Sequence, residues 1–166
     1  MLNRLGWEQH RGRVLATYGS SVGAHDDEWC VPVIAKTDFS FDGRASGSIQ
    51  SVVLAAGIST INWVSGVLVA RLHAKGTFSA TALADILVEN ISIVPEEPQT
   101  IFADTVSPLA TVSYAAGTTA PNLGVVPFVG AIGPMVRVRL VFDQKATAAA
   151  AAQTFSISVD LIGRPG

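Results

Sequence analysis

Charge is what this chain has least of. Only 14% of its 166 residues are charged, against 49% that are hydrophobic, whereas an average soluble domain carries roughly 25% charged residues. Cysteine is nearly absent as well. Cys30 stands alone, which excludes an intramolecular disulfide and a cysteine-based zinc motif. The fold therefore does not depend on an oxidising compartment. No basic block occurs, the net charge is −2, and the electrostatic footprint of a nucleic-acid binder is missing. Arg4, Arg11 and Arg13 are the nearest approach to a cluster and read as a solvated tail. The first residues, Met1 to His10, lack the apolar run of a signal peptide, so the expectation is synthesis and folding in a cytoplasm. Ala45 to Ala70 is uncharged and long enough to span a bilayer. Ser, Gly, Gln, Asn and Thr interrupt it throughout, which argues against a membrane helix. Helical periodicity is weak everywhere. Phe78 to Ala84 and Ala148 to Ala152 are too short to form helices alone.

Period-two alternation is what the chain does have. Val136, Val138, Leu140 and Phe142 share one face of Met135 to Asp143, and Phe155, Ile157, Val159 and Leu161 share one face of Gln153 to Ile162. Successive strand side chains point to opposite sides, so this is the signature of a sheet with one wet face. Joined as a hairpin through Gln144 to Ala152, the two runs place Phe142 against Phe155, Val138 against Val159 and Arg137 against Asp160. Further strand signals lie at Val31 to Phe41, with Pro32 suiting a strand start or edge, and at Ile49 to Ala55, ended by a turn at Gly57. Others are Val67 to His73, and Leu83 to Val94 with a bulge at Glu89–Asn90, followed by a break at Pro95 to Pro98. Thr100 to Val106, Leu109 to Tyr114 and a pairing segment at Val125 to Val129 complete the set.

About eight strands at short spacing predict an all-β fold. We expect an antiparallel β-sandwich of jelly-roll type rather than a barrel. The sandwich is expected over residues 28–166, preceded by an extended N-terminal arm over 1–27. That arm holds a short candidate strand at Arg13 to Tyr18 and the anchors Leu5 and Trp7.

Candidate chemistry is thin. Gly19-Ser20-Ser21-Val22-Gly23 matches the G-x-S-x-G nucleophile elbow, with His25, Asp26 and Asp27 close behind. An elbow needs a strand-to-helix turn in a chain that alternates strands and helices, and neither is signalled here. A Gly/Ser loop is the better reading. His10, His25 and His73 do not stand at metal-ligand spacing. Asp26-Asp27-Glu28 with Asp38 or Asp42 does not follow a calcium-loop pattern. Trp63, Phe78, Tyr114 and Phe128 are too dispersed for a sugar-stacking platform and fit a core better. The expectation is a protein that is not an enzyme and needs neither cofactor nor metal.

Ser65-Gly66-Val67-Leu68-Val69-Ala70-Arg71-Leu72-His73, then Val94-Pro95-Glu96-Glu97-Pro98 leading to Ile101-Phe102, then Val136 to Leu140 with Phe155 to Arg164, together form a recognisable pattern. It resembles small β-sandwich virion proteins of tailed bacteriophages and gene-transfer particles, such as head decoration (cement) and minor capsid proteins. The resemblance covers Gly43 to Gly166 and rests on strand patterns, so no functional residue is carried over from it. It implies a structural protein located in a virion, bound to a major capsid or other virion protein and often trimeric, with no cofactor, nucleic acid or membrane. The alternative is a carbohydrate- or receptor-binding sandwich of a tail fibre or cell-surface protein. A low-charge surface suits extensive protein contact, since interface cores are depleted of charge. The expected contact residues are Leu5 and Trp7 on the arm, and Val125, Val126, Phe128, Val129 and Ile132 in the uncharged segment Ala115 to Pro134. A homo-oligomer, preferably a trimer, follows from that segment.

Overall fold

The computed structural model describes residues 29–41, 49–76, 78, 82–91, 108–144 and 152–165. The proposed arm over 1–27, the elbow sequence around Ser21 and the predicted strand Thr100 to Val106 lie outside these residues. Eight strands run in chain order: β1 (Trp29–Phe41), β2 (Ile49–Ser59), β3 (Trp63–Lys75), β4 (Leu83–Ile91), β5 (Ala110–Ala115), β6 (Asn122–Val129), β7 (Met135–Asp143) and β8 (Gln153–Pro165). Among the described residues there is no helix. Ala45 to Ala70, the uncharged run, supplies β2 and the first half of β3.

The strands form two four-stranded sheets ordered β1-β8-β3-β6 and β2-β7-β4-β5. Every pairing is antiparallel. The first strand pairs with the last, β2 with β7, β3 with β6, and β4 with β5. The chain thus behaves as one long antiparallel ribbon wrapped around itself, which is the eight-stranded jelly roll. The expected fold class, an all-β antiparallel sandwich, is what the chain adopts.

The two cleanest alternating runs, β7 and β8, occupy interior positions of the two sheets. Their inward residues Val136, Val138, Leu140, Phe142, Ile157, Val159 and Leu161 have no exposed surface. Leu68, Ala70 and Leu72 of β3 and Ala84, Ile86 and Val88 of β4 complete the centre of the core. Full burial of a Val, Leu, Ile or Phe side chain stabilises by about 1.5–3 kcal/mol, so this interior layer is the main source of stability. One end of the sandwich is closed by stacked rings: Phe41 on Phe142 with centroids 4.9 Å apart, and Phe78 edge-on to Phe155 at 5.5 Å.

Four expectations change. The terminal runs do not form a hairpin, because β7 pairs with β2 and β4 while β8 pairs with β1 and β3. Phe142 and Phe155 do meet, at 6.2 Å, but across the sandwich rather than within a sheet. Arg137 stands opposite Glu89, and Asp160 opposite Val69 and Pro32. Periodicity reports which face of a strand is buried and says nothing of its neighbour. Gly57 does not end β2; the strand continues to Ser59 through a register shift between Ala55 and Ile58. The ladder at Glu89–Asn90 is regular, and the last residues of the expected strand, 92–94, lie outside the described residues. Finally, Val125 to Val129 pairs with β3 rather than within its own segment.

Candidate protein interface

The residues singled out for chemistry do not converge. His73 Nε2 shares a 2.8 Å hydrogen bond with Ser158 Oγ on the outer face of the β1-β8-β3-β6 sheet. Burial, followed by the charges of Lys36 and Arg71, holds the His73 imidazole below its ordinary pKa. Acyl transfer needs, besides a Ser–His contact, an oriented third group and oxyanion donors, and among the described residues none is placed beside this pair on the open sheet face. No group of three or more His, Cys, Asp or Glu side chains among the described residues is placed to hold a metal. Trp63, Tyr114 and Phe128 are buried, and Phe78 packs against the core. Two of these rings cover glycines: a methyl group built on Gly66 would meet the Phe128 ring, and one on Gly163 the Trp63 indole. A shallow depression lies at the β1–β8–β3 end, lined by residues that include Asp38, Ser40, Gly76 and Thr154.

What the fold builds instead is surface. Each sheet has two edge strands: β1 and β6 in one, β2 and β5 in the other. An unguarded edge pairs with other chains, and proteins block it with proline, bulges or short strands. All three devices occur here. β1 carries Pro32 and two register shifts, β6 carries Pro127, β2 carries two register shifts, and β5 is only 6 residues long. Strand addition is disfavoured at every edge, which leaves side-chain faces as the available contact surface.

Apolar side chains crowd two of these faces. On β6, Leu123, Val125 and Val129 point outward and are 52%, 53% and 75% exposed. Inward of them lie Val126, partly buried, and Phe128, 3% exposed. Of the five expected contact residues in this segment, the fold therefore presents Val125 and Val129 and turns Phe128 into the core. Val126 and Ile132 pack partly against the core. Leu5 and Trp7 lie outside the described residues. The outward row continues across the sheet, where Val125 pairs with Val69 and Pro127 with Val67, which in turn pairs with Ile162. The second cluster is on β2: Ile49 and Val53 on the outer face, 68% and 50% exposed, with Val52, opposite Leu140 on the other side of the strand, 38% exposed. No sequence argument singled these out, although they lie inside the uncharged run Ala45 to Ala70.

On the outer face of the other sheet, β4 and β7 bring three charges together. Glu89, 5% exposed, accepts from Arg137 Nε at 2.9 Å, from Arg137 Nη2 at 2.6 Å and from Arg139 Nη2 at 2.6 Å. Alternation slips here in the sequence because Asn90, opposite Val136, takes an inward position, where its amide donates to the Ala131 carbonyl and accepts from the Gly133 N–H. Two guanidinium groups thus share one carboxylate across β4 and β7, and the cluster keeps a net positive charge.

No protein-family model matches the sequence, and no curated protein matches it. Among solved structures, the chain is similar to the infectious bursal disease virus VP2 subviral particle, at 16% identity and a TM-score of 0.48 over 84% of this chain and 32% of that one. It is similar in the same way to the Gx strain of that virus, at 18% identity and a TM-score of 0.47 over 84% and 32%. A Bacillus endospore appendage, described as a disulfide-linked pilus, gives 13% identity and a TM-score of 0.40 over 89% and 99%. The chain spans about a third of the length of the viral chains it matches.

Proposed function

We propose that this chain is a non-enzymatic structural protein of a phage-like particle, a decoration or stabilising subunit that binds a shell protein and its own copies through protein–protein contacts. One observation carries the reading. The sandwich blocks all four of its strand edges yet leaves large aliphatic side chains exposed on β6 and β2. Blocked edges prevent open-ended strand pairing, and exposed apolar faces of this kind mark contact sites. A protein that must coat a surface in one fixed arrangement needs both. The virion resemblance of the sequence, with its major capsid partner, virion location and trimer, supports the same reading. The carbohydrate-binding alternative is less well served, because among the described residues no aromatic side chain is exposed to stack on a sugar.

The test is to express the tagged chain in its native host and follow it through density-gradient purification of particles, with gold labelling in the electron microscope. Co-banding with particles at fixed stoichiometry and label on their outer surface is the expected result. A chain that stays in the free protein fraction while complete particles form without it would rule the role out.

A further inference from the structure

The depression at the β1–β8–β3 end is built by register. Ser156 of β8 lies between Asp38 of β1 and Ala74 of β3, and Thr154 pairs with Ser40. Phe155 and Ile157 are buried in the core, so Thr154 and Ser156 stand on the outer face. On the β3 side a register shift between Leu72 and Ala74 inserts one residue and brings Ala74, rather than Lys75, to that face. Gly76 follows, its N–H donating 2.9 Å to the Thr154 carbonyl. The β3 flank therefore carries nothing larger than a methyl group, and a hollow of about 350 Å³ opens beside Thr154 and Ser156.

Ser156 is only 3% exposed, yet its Oγ has no hydrogen-bond partner. A buried hydroxyl left unsatisfied is costly, and native structures hold few. Asp38, Ser40 and Thr154 are exposed around it, and Asp38 has no ion-pair partner among the described residues. No cationic side chain among those residues lines the hollow. Lys75 is turned away and donates to the Ala116 and Thr118 carbonyls. The hollow thus presents one carboxylate and three hydroxyls beside a wall made apolar by Ala74 and Gly76.

We propose that this hollow binds a primary alkylammonium, the group that ends a lysine side chain. An ammonium has three donors and no acceptor, which suits the Asp38 carboxylate, the Ser156 hydroxyl and that of Ser40 or Thr154. Its alkyl stem lies along the apolar wall, as lysine stems do on other protein surfaces. A hard metal ion takes about six to eight oxygen ligands, usually several of them carboxylates, and a single carboxylate with hydroxyls does not suit one. Lys36 and Arg71 oppose a cation. They flank His73 toward the middle of the sheet and do not line the hollow, so they limit the affinity without blocking the site. The site is separate from the apolar faces of β6 and β2.

The test is an NMR titration of the isotope-labelled full-length chain with n-butylammonium and, in parallel, with neutral n-butanol. Saturable shifts centred on the amides of Asp38, Ala74 and Ser156 are expected with the cation, at a Kd of about 1 mM, and none with the alcohol. Asp38→Asn is expected to weaken binding roughly tenfold, and Lys36→Gln to tighten it about twofold. Ser156→Ala is expected to weaken binding while the melting temperature stays level or rises, because it removes an unsatisfied hydroxyl. Two further ligands separate the sources of the group. Binding of Nα-acetyl-lysine N-methylamide as tight as that of butylammonium, with spermidine no tighter, supports a lysine on a partner protein; several-fold tighter binding of spermidine supports a diffusible polyamine. Equal shifts with butanol, an unchanged Kd in Asp38→Asn, or no saturable shift with butylammonium would overturn the proposal, and none of these bears on the particle test above.

Discussion

Replacing Gly66 with alanine tests how closely neighbouring strands of one sheet pack their inward side chains. Gly66 sits opposite Phe128 in the β3–β6 ladder, and the ring lies over it. A Cβ on Gly66 would stand 2.8 and 2.9 Å from Cε2 and Cε1 of Phe128, and closer still to Cζ. Phe128 is only 3% exposed, so its flat ring has little room to swing aside. Overpacking of this kind costs about 1–3 kcal/mol. Against it stands about 0.5–1 kcal/mol gained by removing glycine's freedom in the unfolded chain. The net expectation for Gly66→Ala is a loss of roughly 1–2 kcal/mol in urea unfolding, with an unchanged m-value. Phe128→Leu removes the Cε and Cζ atoms that create the clash, at its own cost of about 1–2 kcal/mol. In that background Gly66→Ala should become neutral or stabilising. The coupling in the double-mutant cycle is then on the order of 2 kcal/mol, well above the usual scatter of additivity of about 0.3–0.5 kcal/mol. Equal destabilisation by Gly66→Ala with Phe or Leu at position 128 would refute the reasoning.

Tyr114 Oη donates a 2.7 Å hydrogen bond to the Ala70 carbonyl inside the sandwich, so Tyr114→Phe should lower stability by about 1–1.5 kcal/mol in chemical denaturation. Burial pushes the Tyr114 phenol above its ordinary pKa, partly offset by backbone hydrogen bonds with Gly124 and Leu72. The unfolded chain therefore loses its proton first, and this contribution is complete below about pH 10 and is lost as pH rises through the folded value; melts recorded from pH 8 upward should decline more steeply for wild type than for Tyr114→Phe. His73 should titrate by NMR with a midpoint below the ordinary imidazole value of about 6.5, its stabilising contribution present above that value and lost as pH falls toward the folded midpoint; Lys36→Gln should move the midpoint upward. Glu89→Gln leaves Arg137 and Arg139 without their shared carboxylate, and a loss of about 2 kcal/mol is expected in urea unfolding; an unchanged midpoint would show that the arginines are fully satisfied by other groups.

Local physics was legible in the residues. Alternation in Met135 to Asp143 and Gln153 to Ile162 identified the buried faces of β7 and β8, because a strand with one dry side imposes a period of two on its own sequence. Pro32 marked an edge strand for an equally local reason: proline has no N–H to give to a second neighbour. About eight alternating runs at short spacing, with turn residues between them, sufficed for an all-β sandwich. Pairing was beyond such reasoning. β1 and β8 are more than a hundred residues apart in the chain yet adjacent in space, and nothing local to Phe142 or Phe155 says whether they meet along a sheet or across a core. Glu89–Asn90 looked like a bulge because the groups that satisfy the inward Asn90, at Ala131 and Gly133, come from a loop distant in the chain. The contact surface divided in the same way. The uncharged segments announced themselves by composition, but which side chains in them face water depends on the sheet each strand joins: β6 presents Val125 and Val129 and hides Phe128, and β2 presents Ile49 and Val53. That those two faces belong to different sheets is a property of the wrapped ribbon alone, since strand order is decided by contacts between segments far apart in sequence.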